Sequence, residues 1–245
     1  FIVKIGIIVQ ARLNSIRFPG KVLKNIYRDY SVIDFLLKRI GKTKLVDSFI
    51  LAVPLKNKKK FLSIAKKHNF FLFCGSEKNV LKRFYDAATK HKLDIIIRVT
   101  SDSPLMSASI LDKFINRFKK MKIDYLNNII EPSYPLGIHI EIFNYKSLEI
   151  SYRKTKNKKY LEHVTPYIYN NKDKFKIHTE ILRNKLSNYR LTIDFKQDLK
   201  MLKRVIQISK KGLNVSYKDV ILILKKYPIL TKINNNIKKR FYIKE

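Results

Sequence analysis

Two runs, KIGIIVQ (4–10) and DIIIRVT (94–100), are almost continuously apolar, and each leads straight into polar, turn-forming residues. A strand of that kind is buried on both faces, so helices must cover it above and below and the sheet must be mostly parallel. SFILAV (48–53), ended by Pro54, reads as a further buried strand and FFLF as a short one. Between them the spacing predicts helices from Ser31 over VIDFLLKRI, through about 57–68, from about 79 to 91, and near 109–120. Ser31 and Asp34 form a capping-box pattern ahead of apolar residues at helical spacing. Beyond 120 the pattern changes to DYLNN, a Pro-bounded EPSYPLG, a strand IHIEIF and a polar helical pair around 146–170. Strands KFKIHTEIL and YRLTID follow, then helices near 196–209 and 216–226. The expectation is one α/β domain over 1–245, long enough to bury a full core. An insertion at about 130–188 is expected to serve as a dimerisation or substrate lobe, which makes a homodimer the expected assembly.

Charge is the most unusual part of the composition. There are 53 Lys and Arg against 19 Asp and Glu, a formal charge of +34. Such a field attracts nucleotides, nucleic acids and anionic surfaces alike and does not choose among them. The lysines are spread along the chain (LKNKKK, RKTKNKK, LKRVIQISKK, NIKKR) and form no single basic arm. The 14 tyrosines and 15 phenylalanines offer stacking surfaces, but many sit in apolar patterns, so core packing explains them better than base stacking and no specific nucleic-acid partner is expected. One cysteine, Cys74, excludes an internal disulfide framework and a cysteine-rich zinc site, and fits a reducing compartment. No apolar run approaches the about 18 residues that span a bilayer, so no membrane insertion and a cytoplasmic location are expected. The chain starts at Phe1 without an initiator methionine, so residues upstream of it are expected.

The loop after the first strand, ARLNSIRFPGK (11–21), gathers Arg12, Arg17 and Lys21. It is not a P-loop: Gly20-Lys21 is followed by Val22, and Ser15 stands where the first glycine belongs. The dinucleotide fingerprint Gly-x-Gly-x-x-Gly is also absent. Three cations on a loop with one glycine suit phosphate oxygens bound by side chains, Arg as a fork and Lys as a point charge; they equally suit a solvated basic loop. Among few acids, Asp102 in VTSDSPL and Asp194 in RLTIDF both lie at strand carboxyl ends, where open α/β sheets bind ligands. Two carboxylates with phosphates and water suit magnesium, whereas Asp102 alone also suits a turn. Glu141, on the strand IHIEIF, has as candidate partners a substrate hydroxyl, a lysine or nothing; His163 is a substrate contact or a structural group. The five histidines lack metal-ligand spacing, and no Gly-x-Ser-x-Gly elbow occurs, which disfavours zinc and serine-hydrolase chemistry.

IIVQARLNSIRFPGKVL closely resembles the Gln-Ala-Arg-x-x-Ser-x-Arg-x-Pro-Gly-Lys-x-Leu signature of the cytidylyltransferases that activate acidic sugars. These include the acylneuraminate and 3-deoxy-manno-octulosonate types and above all the branch named for spore-coat polysaccharide biosynthesis. The resemblance continues, in order, through GSEKNVLKRFYDAA, IIRVTSDSPL, YPLGIHIEIF, EHVTPYIY and RLTIDFKQDL. It implies a three-layer αβα, nucleotide-diphospho-sugar transferase (Rossmann-like) fold and transfer of a nucleotidyl group from CTP to a sugar, with Mg2+ as cofactor and pyrophosphate as leaving group. It makes Arg12 and Lys21, with Arg17, triphosphate contacts, and has Ala11, Asn14 and Ser15 line the nucleotide. Gly75, Ser76 and Arg83 fall near the nucleotide or its ribose, Asp102 and Asp194 are the magnesium ligands, and Arg98, His139, Glu141 and His163 belong to the sugar side.

The chain departs from the pattern at named positions. Thr100-Ser101-Asp102 replaces the usual Thr-Gly-Asp, His139 stands where relatives often carry aspartate, and Lys78 and Lys82 fall where acids are common. Nucleotide binding is therefore expected to hold more firmly than sugar identity. A glycosyltransferase or an inactive relative on the same fold are the alternatives, with a basic nucleic-acid-binding protein behind them; retention of Asp102 and Asp194 argues against decay, and pyrophosphate release separates nucleotidyl from sugar transfer.

Overall fold

The computed structural model describes residues 2–237. β1 (Ile5–Gln10) leads through the cationic loop to a small antiparallel pair, β2 (Asn25–Tyr27) and β3 (Tyr30–Ser31), and then to α1 (Val32–Ile40). β4 (Ser48–Pro54), α2 (Lys58–Lys67), β5 (Phe71–Gly75), α3 (Val80–Lys90), β6 (Ile95–Thr100) and α4 (Ala108–Lys120) complete the alternating half. The second half runs β7 (Tyr125–Asn127), β8 (Glu141–Asn144), α5 (Tyr145–Lys154), α6 (Lys158–His163), α7 (Pro166–Tyr169), β9 (Ile177–Thr179), α8 (Lys196–Ser209) and α9 (Tyr217–Lys226). α1 starts where its cap dictates: Ser31 Oγ accepts the Asp34 N–H.

Seven strands form one sheet in the order β5-β4-β1-β6-β8-β7-β9, with β8 alone running against its neighbours. Period-two burial divides β1 between two cores. Ile5, Ile7 and Val9 pack with α1, α2, α4, α8 and α9, whereas Ile8 packs on the opposite face with α3, α5 and α7. Each such side chain, fully buried, contributes about 1.5–3 kcal/mol of transfer free energy. Gly6 faces Leu93 so closely that a Cβ there would lie 2.4 Å from Leu93 Cδ1. Among the described residues no helix is long and apolar enough to cross a membrane.

From β1 the chain builds outward to β4 and β5, then crosses back through α3 to β6 on the other side of β1. The order therefore reverses between β1 and β6, whose last residues, Gln10 and Thr100, are paired in register. The loops beginning at Ala11 and Ser101 emerge side by side, and a crevice of this kind is where open α/β sheets place ligands.

Several expectations change in the second half. YRLTID is not a strand: it makes one isolated bridge, Leu136 with Arg190, and runs past the end of the sheet. IHIEIF joins the ladder only from Glu141; before that, the buried Asn128 amide stands in for a strand, donating to the Ile138 carbonyl (2.7 Å) and accepting the Ile140 N–H (2.8 Å). The helical pair is three short helices, α5 to α7, and DYLNN supplies β7. Residues 130–188 thus contribute β8 and β9 to the main sheet and α5 to α7 to one of its faces.

Candidate active site

The loop after β1 folds on its own backbone. The Leu13 carbonyl accepts the N–H groups of both Ser15 and Gly20 at 2.9 Å, and Phe18 is sunk in the core beneath. Gly20 takes φ 65, a left-handed conformation natural to glycine, and so turns the chain into the short 3-10 segment that carries Lys21. Fixed this way, the Lys21 side chain points back under the loop.

There Lys21 Nζ meets Asp102 Oδ2 at 2.6 Å and Asp194 Oδ1 at 2.9 Å. Burial would pull the ammonium down, but the two carboxylates together outweigh it and leave its pKa above the ordinary value. Arg17 also reaches Asp194 Oδ1 (2.7 Å) and lies over the Phe195 ring. Asp194 is itself held below the usual carboxylate range: burial opposes ionisation, and Lys21, Arg17 and Arg190 overcome it. Behind it, Arg190 bonds Asp194 Oδ2 and Asp198 Oδ1, both at 2.8 Å. Asp198, fully buried in the first turn of α8, further accepts the N–H groups of Asp194 and Phe195 at 2.9 Å and the Asn234 amide at 3.0 Å. Three cations and three carboxylates balance in this cluster. The Asp102 backbone joins it too, its carbonyl accepting the Ile193 N–H at 2.9 Å.

A cavity of about 550 Å³ opens at the carboxyl ends of β4 and β5, lined by residues 54–56 and 74–77. Asn14 reaches its rim at Glu77 (3.3 Å), which Lys56 also pairs (2.5 Å). Below the rim lies Arg83, only 2% exposed, with Nη1 on the Ser76 carbonyl and Nε unpartnered among the described residues. Burial, with Arg12 adding and Glu77 opposing, pushes its pKa down to about 10. Arg12 pairs with Glu162 of α6 at 3.3 Å, both side chains about half exposed.

On the other flank, Arg98 bonds Gln10 Oε1 (3.1 Å) and Glu141 Oε2. The second Glu141 oxygen accepts Tyr125 Oη (2.7 Å) and Thr165 Oγ1. His139 lies within electrostatic reach of Glu141, Arg98 and Asp102; burial keeps it neutral, its pKa pushed down to about 4 against Glu141. Its backbone is pinned on both sides by Asn128. Gly137, at φ 102, packs so tightly on 191–192 that a Cβ would meet the Thr192 nitrogen at 2.6 Å. The His163 pKa is lowered by burial and by Arg98. Next to it Val164 has φ 70 and ψ −56, with the Thr165 N–H on the His163 carbonyl at 2.9 Å. This is a γ-turn of the strained sort, held by a fully buried side chain.

The structure therefore brings Arg17, Lys21, Asp102 and Asp194 to one point, sets Ala11, Asn14, Gly75, Ser76 and Arg83 on one side, and Arg98, His139, Glu141 and His163 on the other. Ser15 contributes to the loop's backbone turn, and Arg12 stands apart on Glu162. Ser101, in place of glycine, takes no positive φ and donates its N–H to Gln10 (3.1 Å). Arg190, Asp198, Asn234, Asn128, Tyr125 and Thr165 escaped sequence reasoning; the four-residue spacing of Asp194 and Asp198 was the available signal. Among the described residues no three His, Cys, Asp or Glu side chains are placed together as a metal-holding group. Asp102 and Asp194 nonetheless turn oxygens toward one shared cation, a donor set that fits magnesium completed by phosphates and water.

Residues 6–224 match the cytidylyltransferase family model. An uncharacterized protein of Methanocaldococcus jannaschii is 35% identical over 244 residues, covering 96% of each chain. The spore coat polysaccharide biosynthesis protein SpsF of Bacillus subtilis is 32% identical over 231 residues, covering 90% of this chain and 94% of its own. A solved cytidylyltransferase from Leptospira borgpetersenii superposes with a TM-score of 0.89 at 32% identity, over 97% of this chain and 99% of that one. Together with the switch-point cluster, these likenesses define a nucleotidyltransferase on the three-layer αβα fold. The chain belongs to the cytidylyltransferase family.

Proposed function

We propose that this chain transfers the cytidylyl group of CTP to a hydroxyl of a sugar destined for surface polysaccharide, releasing pyrophosphate. The observation that carries the reading is the convergence of Lys21, Asp102 and Asp194 at the β1/β6 switch point, beside a cationic loop and an open cavity. Family membership supports the nucleotide, and the polysaccharide name of a relative supports the sugar. An acidic sugar is the acceptor we favour, with Arg98 as the cation on that flank.

In this reading the base and ribose occupy the cavity near Gly75 and Ser76, and Ala11, Asn14 and Ser15 border the nucleotide. Arg12, Arg17 and Lys21 neutralise the triphosphate. The acceptor oxygen attacks the α-phosphorus in line, the bond to the bridging oxygen of the leaving group breaks, and pyrophosphate departs with that electron pair. The hydroxyl proton passes to water. Holding both reactants in line and meeting developing charge with fixed cations supplies most of the acceleration; one such donor is worth about 10²–10³ in rate. Asp102 and Asp194 would hold magnesium, which when bound supplies positive charge beside the reacting phosphates.

The test compares binding of CTP, UTP, ATP and GTP with magnesium at low and high salt, followed by a sugar screen for pyrophosphate release. Salt-resistant selectivity for CTP and pyrophosphate release are expected. Equal, salt-labile binding of all four overturns the reading, and release of a nucleotide without pyrophosphate turns it to glycosyl transfer.

A further inference from the structure

We propose that Lys21 is an internal stand-in for the metal: its ammonium fills the gap between Asp102 and Asp194, and the triphosphate must draw it away before a divalent cation enters. This rests on the reading of those two aspartates as the metal pair.

The bonding leaves little alternative. Asp194 has both oxygens taken, Oδ1 by Arg17 (2.7 Å) and Lys21 (2.9 Å) and Oδ2 by Arg190 (2.8 Å). The Asp102 oxygen nearest the gap is on Lys21 at 2.6 Å. Magnesium takes its oxygens at about 2.0–2.1 Å, and to bridge these two it needs the position between them that the ammonium now fills. One cation has to leave. Arg190 is clamped by Asp198 on two nitrogens, at 2.8 and 3.2 Å, and keeps Asp194 in place whichever cation departs.

Charge decides when the exchange occurs. Arg17, Lys21 and Arg190 balance Asp102, Asp194 and Asp198, so a divalent cation that arrives alone and displaces the Lys21 ammonium leaves one uncompensated positive charge in the cluster and an ammonium without its partners. A triphosphate brings the missing negative charge and gives Lys21 new partners. Metal and triphosphate therefore bind with positive coupling, each raising the affinity of the other by the same factor.

Manganese binding, read by electron paramagnetic resonance and water-proton relaxation, tests this without turnover. The wild type should bind Mn2+ weakly alone and about 10–100-fold more tightly with CTP, a coupling of ordinary size. Protein-bound Mn2+ is distinguished from Mn2+ on free nucleotide by its larger relaxation enhancement. Lys21→Met and the milder Lys21→Gln should bind Mn2+ without nucleotide at least about 10-fold more tightly than the wild type, and Asp194→Asn placed on either should remove that gain. Should neither Lys21 variant fold, the CTP dependence of the wild type decides alone. Equal Mn2+ affinity with and without CTP, matched by the Lys21 variants, overturns the stand-in while leaving the metal pair intact. No gain in nucleotide-free Mn2+ binding in the Lys21 variants overturns the stand-in alone, and failure of Mn2+ to bind the wild type with CTP overturns both.

Discussion

Arg98 and Glu141 are direct cross-strand partners in the β6–β8 ladder, and their side chains form an ion pair in the middle of the sheet. Tyr125 and Thr165 also donate to the buried carboxylate. Breaking a buried pair strands the remaining charge. Glu141→Ala should therefore lower stability by about 3–5 kcal/mol in urea unfolding, and the double variant Arg98→Met with Glu141→Leu should recover only part of the loss, because the Tyr125 and Thr165 hydroxyls lose this acceptor.

Asp198 touches no reactant in the proposed mechanism, yet it holds both Arg190 and the backbone on either side of the Asp194–Phe195 bond. Asp198→Asn keeps the shape and removes the charge. The expected result is a loss of about 3 kcal/mol in stability and a drop in kcat for pyrophosphate release larger than any rise in KM for CTP. An unchanged kcat would show that Asp194 keeps its place without this support.

His139 should shape the acid side of the stability curve. Burial lowers its pKa to about 4 against an ordinary value of 6.5, so the unfolded chain takes up a proton at a pH where the folded chain does not. Stability is therefore complete above about pH 6.5 and is lost as the pH falls toward 4. The linkage amounts to about 2 kcal/mol between pH 7 and pH 5. Urea midpoints at the two pH values should differ by less in His139→Asn than in the wild type.

Gly137 is the tightest backbone approach near the acceptor flank. A methyl group there meets the Leu191 and Thr192 backbone, and φ 102 adds strain of its own. Gly137→Ala should cost at least about 2–3 kcal/mol and, by pushing 191–192 away, should lower kcat further than thermal melting alone accounts for.

The alternating half of the fold was legible because its strands are apolar on both faces and its helices carry their own caps, as Ser31 does. The second half was not, because its geometry is supplied by distant partners. YRLTID has strand composition but lacks a long ladder, and Asn128 replaces part of a strand with one side chain. The cationic loop and Asp102 could be named from their positions at strand ends, and Asp194 from a strand-like pattern that the structure does not form into a strand. Their bonding could not: nothing local says that Lys21 bridges two carboxylates, or that Arg12 turns to Glu162. Arg190 and Asp198 lay inside a recognised motif, but their role depends on a buried layer that only packing creates.

The balance of charge inside the cluster separates two properties that +34 would otherwise blur. The basic exterior acts at long range, widening the distance from which an anion is captured, and dissolved ions collapse that reach within about a Debye length. The interior, neutral and half-buried, is shielded from that atmosphere. Salt should thus slow the arrival of the nucleotide while leaving the committed complex and its chemical step nearly untouched, so the protein's most conspicuous property governs traffic to the site and its least conspicuous one governs what happens there.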